Sequence, residues 1–234
     1  MNPTTPNQDL PLRQVALIAG LGYLIMPVPF AEFYAFPKLV IPGNIEQTTQ
    51  NIAAHSGLFV AAIFCYFITF ISDVVIAWAL YYLLAPVHKA LSLLASWFQL
   101  MYAAIAFFGL LNLVTVFRLL NTPDYLTLFG PGPLRAQVQL LLNSFQYDWS
   151  IGLVLFGIHL VLLGYLIYRS GYIPKIIGIL LIINGFGWMI DRLRPYLYPN
   201  ANLGFLAITF LGELVFMVWL LVRGRKIKEQ TEAQ

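Results

Sequence analysis

Apolar and polar positions fall into long blocks along this chain. Apolar runs occupy 15–36, 57–84, 91–119, 138–168, 176–190 and 203–222, and polar residues gather between them. A helix crosses the roughly 30 Å of bilayer hydrocarbon with about 20 mainly apolar residues, so the six runs predict an all-α bundle of six spanning helices. The third and fourth runs exceed what a bilayer needs and are expected to tilt, bend or project. Pro27 and Pro29 should kink the first.

The connections carry their own signals. Ala85-Pro86-Val87-His88-Lys89 and Arg169-Ser170-Gly171-Tyr172-Ile173-Pro174-Lys175 read as tight turns between antiparallel neighbours. The stretch 38–54 reads as a longer polar loop. Thr122-Pro123-Asp124 predicts a short capped helix, which Gly130-Pro131-Gly132-Pro133 then ends before the fourth span. Outside the spanning domain, 13–222, the reading leaves a disordered, proline-bearing lead over 1–12 and a charged tail over 223–234, with the first apolar run retained as a helix.

Composition sharpens this picture. The chain is 60% hydrophobic and 10% charged, against about 45–50% and about 25% in soluble domains. A multi-pass protein of the plasma membrane is the expectation, with the lipid bilayer as its principal partner. No basic patch suits nucleic acid. The single cysteine, Cys65, excludes an internal disulfide and a multi-cysteine metal site. Placement of charge sets orientation. Arg13, Lys89, Arg169, Lys175, Arg223, Arg225, Lys226 and Lys228 fall on one side, and Lys38, Arg118, Arg135, Arg192 and Arg194 on the other. Eight against five favours both termini in the cytoplasm.

With the spans placed, Asp73-Val-Val-Ile-Ala-Trp-Ala-Leu-Tyr-Tyr-Leu-Leu-Ala-Pro-Val resembles the second span of the domain of unknown function 4386 family of bacterial membrane proteins. So does Phe156-Gly-Ile-His-Leu-Val-Leu-Leu-Gly-Tyr-Leu-Ile-Tyr-Arg-Ser-Gly-Tyr-Ile-Pro, continuing to Asp191, together with Asp124-Tyr-Leu and Phe129-Gly. The resemblance implies six helices and no assigned activity, and it carries over no catalytic residues. It also implies an arginine where this chain has Gln99.

Depth sorts the polar residues inside the runs. At about 1.5 Å per residue, Asp73, Gln99, His159, Asn184 and Glu213 all lie about 12–17 Å from one end of their helices, near mid-bilayer. An isolated charge there costs at least about 2.5–3.5 kcal/mol, so such groups turn inward and find partners. The natural set is an imidazolium between the carboxylates of Asp73 and Glu213, with Gln99 and Asn184 around it. A second layer nearer the outer face holds Glu32, Asn112, Arg118, Gln146, Asp148 and Asp191. Asp148 and His159 share a helix face, as do Asn184, Trp188 and Asp191, so the two layers could line one path.

Each feature has a plainer reading. The mid-depth groups could simply hold helices together by hydrogen bonds, worth about 0.6 kcal/mol on average. Gly152, Gly157 and Gly164 suit close helix packing better than a dimer motif, and the span-end aromatics suit interfacial belts. No cofactor is evident, and a metal site is the weaker reading: one histidine and two carboxylates could serve as ligands, but they lie on three helices with no local His-rich motif. Three functions follow. The first is a small carrier or sensor for a lipophilic or weakly ionic small molecule, with His159 as a proton-linked group. The second is a membrane-embedded enzyme on a lipid-like substrate, disfavoured by the lack of a nucleophile, HExxH or phosphate-loop motif. The third is a structural or accessory protein without a ligand.

Overall fold

A computed structural model describes residues 11–227, and among these it contains helices and no strand. The expected charged tail from Lys228 onward and most of the N-terminal lead lie outside the described residues. The helices are α1 Leu12–Leu24, α2 Val28–Phe30, α3 Phe36–Leu39, α4 Ile45–Ala54, α5 Ser56–Asn121, α6 Pro123–Phe129, α7 Pro131–Ser170, α8 Lys175–Leu197 and α9 Leu211–Arg223. A π-helical turn, Ala31–Ala35, joins α2 to α3, and a 3₁₀ segment, Gly204–Phe210, leads into α9.

Five helical stretches are long and apolar enough to cross a membrane: Leu12–Leu39, Ser56–Asn121, Pro131–Ser170, Lys175–Leu197 and Gly204–Lys226. The second is a doubled helix. Its 66 residues would run about 100 Å if straight. Instead, Pro86 removes a backbone donor and His88 leaves helical geometry at φ −162, ψ 95. The two arms then face each other. The Ser92 hydroxyl donates to the Tyr81 carbonyl at 2.9 Å and the Ser96 hydroxyl to the Ala77 carbonyl at 3.1 Å. The expected tight turn at 85–89 is therefore present.

The chain divides into two compact units. Unit 1 comprises Met1–Leu24, Val75–Gln99 and Phe156–Gln234. Within it, α1 lies on α9, where Gly20 meets Leu220 and Leu221 and Gly224 meets Ala16. In turn α9 lies on α8, with Gly212 against the Leu180 backbone. Next, α8 meets the 156–170 segment of α7 through two glycine pairs, Gly157 with Gly185 and Gly164 with Gly178. Without side chains these backbones come into direct contact, the usual device where lipid gives no hydrophobic drive. The Tyr172 hydroxyl completes the unit by donating to the Leu83 carbonyl at the end of the first arm of α5.

Unit 2 comprises Ile25–Val74 and Leu100–Leu155. Its centre is aromatic. Tyr66 packs on Phe36, Phe70, Phe145 and Trp149, with ring centroids 4.9 Å apart for the Tyr66–Phe145 pair. Gly109 and Gly152 let the second arm of α5 approach α7, against Asp148 and Tyr102 respectively. At one end the Arg135 guanidinium meets the Glu46 carboxylate at 2.7 Å.

Three expectations change. The polar stretch 38–54 is not only loop, because α4 occupies Ile45–Ala54. Asn44 caps it by accepting from the Gln47 N–H at 3.0 Å. The fourth helix starts at Pro131, not 138, since prolines in the first turn remove only N–H groups that have no intrahelical partner. The last span is also not uniformly α-helical, beginning as the tighter 3₁₀ segment. Elsewhere the breaks fall where proline put them. The first span is interrupted at 25–27, and α6 follows Thr122 as a short helix before Gly130, at φ +72, ends it.

Candidate functional site

Many polar side chains of the long helices find partners within the protein. Hydroxyls donate back to their own helix, as in Thr69 to Cys65, Ser72 to Ile68 and Thr115 to Leu111. The larger groups turn inward, with Asp73, Gln99, His159 and Asn184 between 0% and 3% exposed. Large apolar side chains point the other way, with Phe33 82% and Phe108 73% exposed.

Unit 1 holds four of the five residues expected at mid-depth, Gln99 on α5, His159 on α7, Asn184 on α8 and Glu213 on α9. His159 sits on α7 between Gly157 and Gly164. Its Nδ1 lies 2.8 Å from the carbonyl oxygen of Ala95, on the second arm of α5. A carbonyl oxygen only accepts, so Nδ1 carries the hydrogen and Nε2 is left as a bare lone pair. That Nε2 is buried without a hydrogen-bond partner. The ring stacks on Phe156 at 5.6 Å, which holds its plane. Gln99 lies one turn beyond Ala95 on the same arm and is fully buried.

On α8 and α9 a second group forms. The Glu213 carboxylate oxygen Oε1 accepts from Asn184 Nδ2 at 2.7 Å and from Trp188 Nε1 at 2.9 Å. Asn184 and Trp188 are four residues apart, so one face of α8 presents both donors. Because the carboxylate fixes the Asn184 amide with its NH₂ inward, Oδ1 is the atom left over, and it too is buried without a partner. The paired glycines set the α7–α8 register, which brings His159 and Asn184 to the same level of that interface.

This differs from the expected imidazolium between two carboxylates. Neither ring nitrogen of His159 binds a carboxylate: one faces a backbone carbonyl and the other has no partner. The physical reason is local. The Ala95 carbonyl can accept a second hydrogen through its other lone pair, and a neutral ring needs no counter-charge. Asp73 is buried in unit 2. Among the described residues, no three His, Cys, Asp or Glu side chains converge on a metal position.

The outer set divides into separate local pairs. In unit 2 the Tyr66 hydroxyl donates to Glu32, which sits in the π-helical turn, and Asn112 Nδ2 donates to Asp148 at 3.1 Å. Trp149 Nε1 donates to the Tyr102 hydroxyl at 3.3 Å. Arg118 and Gln146 are exposed. In unit 1, Asp191 pairs with its neighbour Arg192 at 3.4 Å. The shared face of Asn184 and Trp188 was legible from their i+4 spacing, but their common partner Glu213 was not, and Tyr66, separated from Glu32 by 34 residues, had no local signal.

Residues 18–224 match the model of a family described as Domain of unknown function (DUF4386). An uncharacterized protein of Archaeoglobus fulgidus is 36% identical over 163 residues, covering 70% of this chain and 83% of that one. No solved structure matches the chain.

Proposed function

Because the chain belongs to the DUF4386 family, whose description assigns no activity, we propose a function from its own side chains: a multi-pass cell-membrane carrier or sensor that takes a proton or a small hydrogen-bond donor at His159. In this reading the five apolar stretches, with α5 doubled back at His88, cross the bilayer six times and leave both termini in the cytoplasm. The exposed apolar side chains face lipid.

One observation carries the reading: the buried Nε2 lone pair of His159 without a partner. Leaving a buried polar group unpaired costs about 1–3 kcal/mol, and native proteins rarely bear that without a use. The second orphan, Asn184 Oδ1, is also an acceptor. Two acceptors select for something that brings hydrogens, such as a proton, a water or a small ammonium compound. Two orphan acceptors offer nothing to a ligand that is itself an acceptor. This narrows the class from weakly ionic ligands in general to donors.

His159→Phe tests it. Phenylalanine keeps the stack on Phe156 and deletes the orphan. The variant is expected to melt at or above the wild-type temperature in mild detergent. It should lose any stoichiometric small-molecule adduct seen by native mass spectrometry, and any proton uptake that accompanies adduct binding. Equal adducts on both proteins, or bare protein in both, would overturn the reading. A His159→Phe variant that only melts lower would assign the histidine to packing.

A further inference from the structure

Away from His159, unit 1 contains a cavity of about 260 Å³ where the first arm of α5 ends and α7 terminates. It is lined by Pro86, Val87, His88, Tyr165, Leu166, Arg169, Ser170 and Tyr172. The polar atoms in this lining can be sorted by what they already do. The Ser170 hydroxyl is consumed, since it donates to the Ile167 carbonyl and accepts from the Ile173 N–H. The Tyr172 hydroxyl donates to Leu83, and burial pushes its acidity far below that of an ordinary phenol, so it stays neutral.

Three side chains are left with hydrogens to give: the Tyr165 hydroxyl, which only accepts in its bond to Arg169, and the two basic groups, Arg169 and His88. Arg169 spends one N–H on the Tyr165 hydroxyl at 3.3 Å and lies against that ring. A guanidinium has five N–H donors in a rigid fork, so the rest of the fork is available and its direction is set by Tyr165. His88 Nδ1 accepts from the Leu91 N–H at 3.1 Å. It must therefore be the bare nitrogen, which places the hydrogen on Nε2 as a donor. Beside the two tyrosines, the lining thus offers a cation and an imidazole donor, with no carboxylate among them. The helical geometry broken at His88 also sets the positive end of the second α5 arm beside the cavity.

We propose that this cavity is a binding site for a phosphate group, held by the Arg169 fork and His88 Nε2–H. An arginine fork matches two phosphate oxygens at once, and the volume admits a phosphate with a short ester arm. The group could arrive as the headgroup of an anionic lipid or as free phosphate, which share this chemistry. The site shares no residue with His159, so failure of one reading leaves the other standing.

The test uses the full chain in a neutral maltoside detergent, with two probes. Phosphatidylglycerol is titrated against an equal supply of phosphatidylcholine and read by native mass spectrometry, and inorganic phosphate is read by its effect on the melting temperature. Loss of the arginine fork should weaken retention about tenfold or more. If Arg169→Gln loses the phosphatidylglycerol preference and Arg225→Gln keeps it, the ligand is a lipid headgroup. If phosphate raises the wild-type melting temperature and Arg169→Gln abolishes the rise, the ligand is free phosphate. His88→Gln is a second, independent variant and should weaken whichever probe binds. Binding of both probes by Arg169→Gln and His88→Gln at the wild-type level, or by none of the proteins, overturns the proposal.

Discussion

Gly164→Val should leave almost no folded protein in detergent, and Gly164→Ala should lower stability by about 3 kcal/mol or more, the upper end of what overpacking costs. A Cβ at this position would lie 2.5 Å from the Gly178 carbonyl oxygen, 2.8 Å from Ile182 Cγ1 and 2.9 Å from the Ile182 nitrogen. Two of these three obstacles are backbone atoms of α8, which cannot move aside on their own. The helices would have to separate along their whole contact, which also opens the Gly157–Gly185 pair. Gly157→Ala should be milder, because one of its two nearest neighbours, at 2.7 Å, is the flexible Met189 Cγ. Gly57 has nothing within 4 Å, so Gly57→Ala should be neutral or slightly stabilising, as alanine is the better helix former. Thermal melts of the three alanine variants in one detergent check this. Equal melting of the Gly164 and Gly57 variants would show that the close contact contributes nothing.

The second large effect is expected at Glu213, where two contributions compete. An average hydrogen bond between membrane helices is worth only about 0.6 kcal/mol. Leaving a buried donor unpaired costs about 1–3 kcal/mol. Glu213→Ala strands two donors at once, Asn184 Nδ2 and Trp188 Nε1, so the second contribution should dominate, at about 2–4 kcal/mol. For a chain of this length that lowers the melting temperature by roughly 5–10 °C. Glu213→Gln offers a discriminating control. Both partners are donors, and a glutamine carbonyl can accept from both, so this variant should melt within a few degrees of wild type. If Gln destabilises as much as Ala, the carboxylate's charge matters and the hydrogen-bond account is wrong.

Much of the architecture was legible because bilayer-scale apolar runs leave few alternatives. The segments 57–84 and 91–119 had to be separate helices, since Pro86 and the polar residues around it cannot continue one span. What escaped was local and conformational. The helix α4 hides in a polar stretch with no apolar run, although Asn44 followed by Gln47 three residues later is a capping signal that could have shown it. The 3₁₀ start of the last span had no sequence mark. At the site, counting residues from helix ends pointed to polar groups of which Asp73, Gln99, His159 and Asn184 are buried and Glu213 is half-buried. Their partners could not be counted that way. His159 chooses the carbonyl of Ala95, and every residue has a carbonyl, so no residue type announces it.

The glycine pairs have a further consequence for motion. Gly157 and Gly164 are seven residues apart, as are their partners Gly178 and Gly185. If α7 slid along α8 by one residue or one turn, each glycine would meet a side-chain-bearing position, and the backbones would have to part. Even a seven-residue step, two full turns and about 10 Å, would re-form only one pair, setting Gly157 against Arg192 or leaving Gly164 beyond the start of α8. Sliding is therefore opposed in both directions. The 156–170 segment and α8 should travel as one stiff blade in any rearrangement this protein undergoes. The give must come from segments without such interlocks, such as the interruption of the first apolar helix at 25–27.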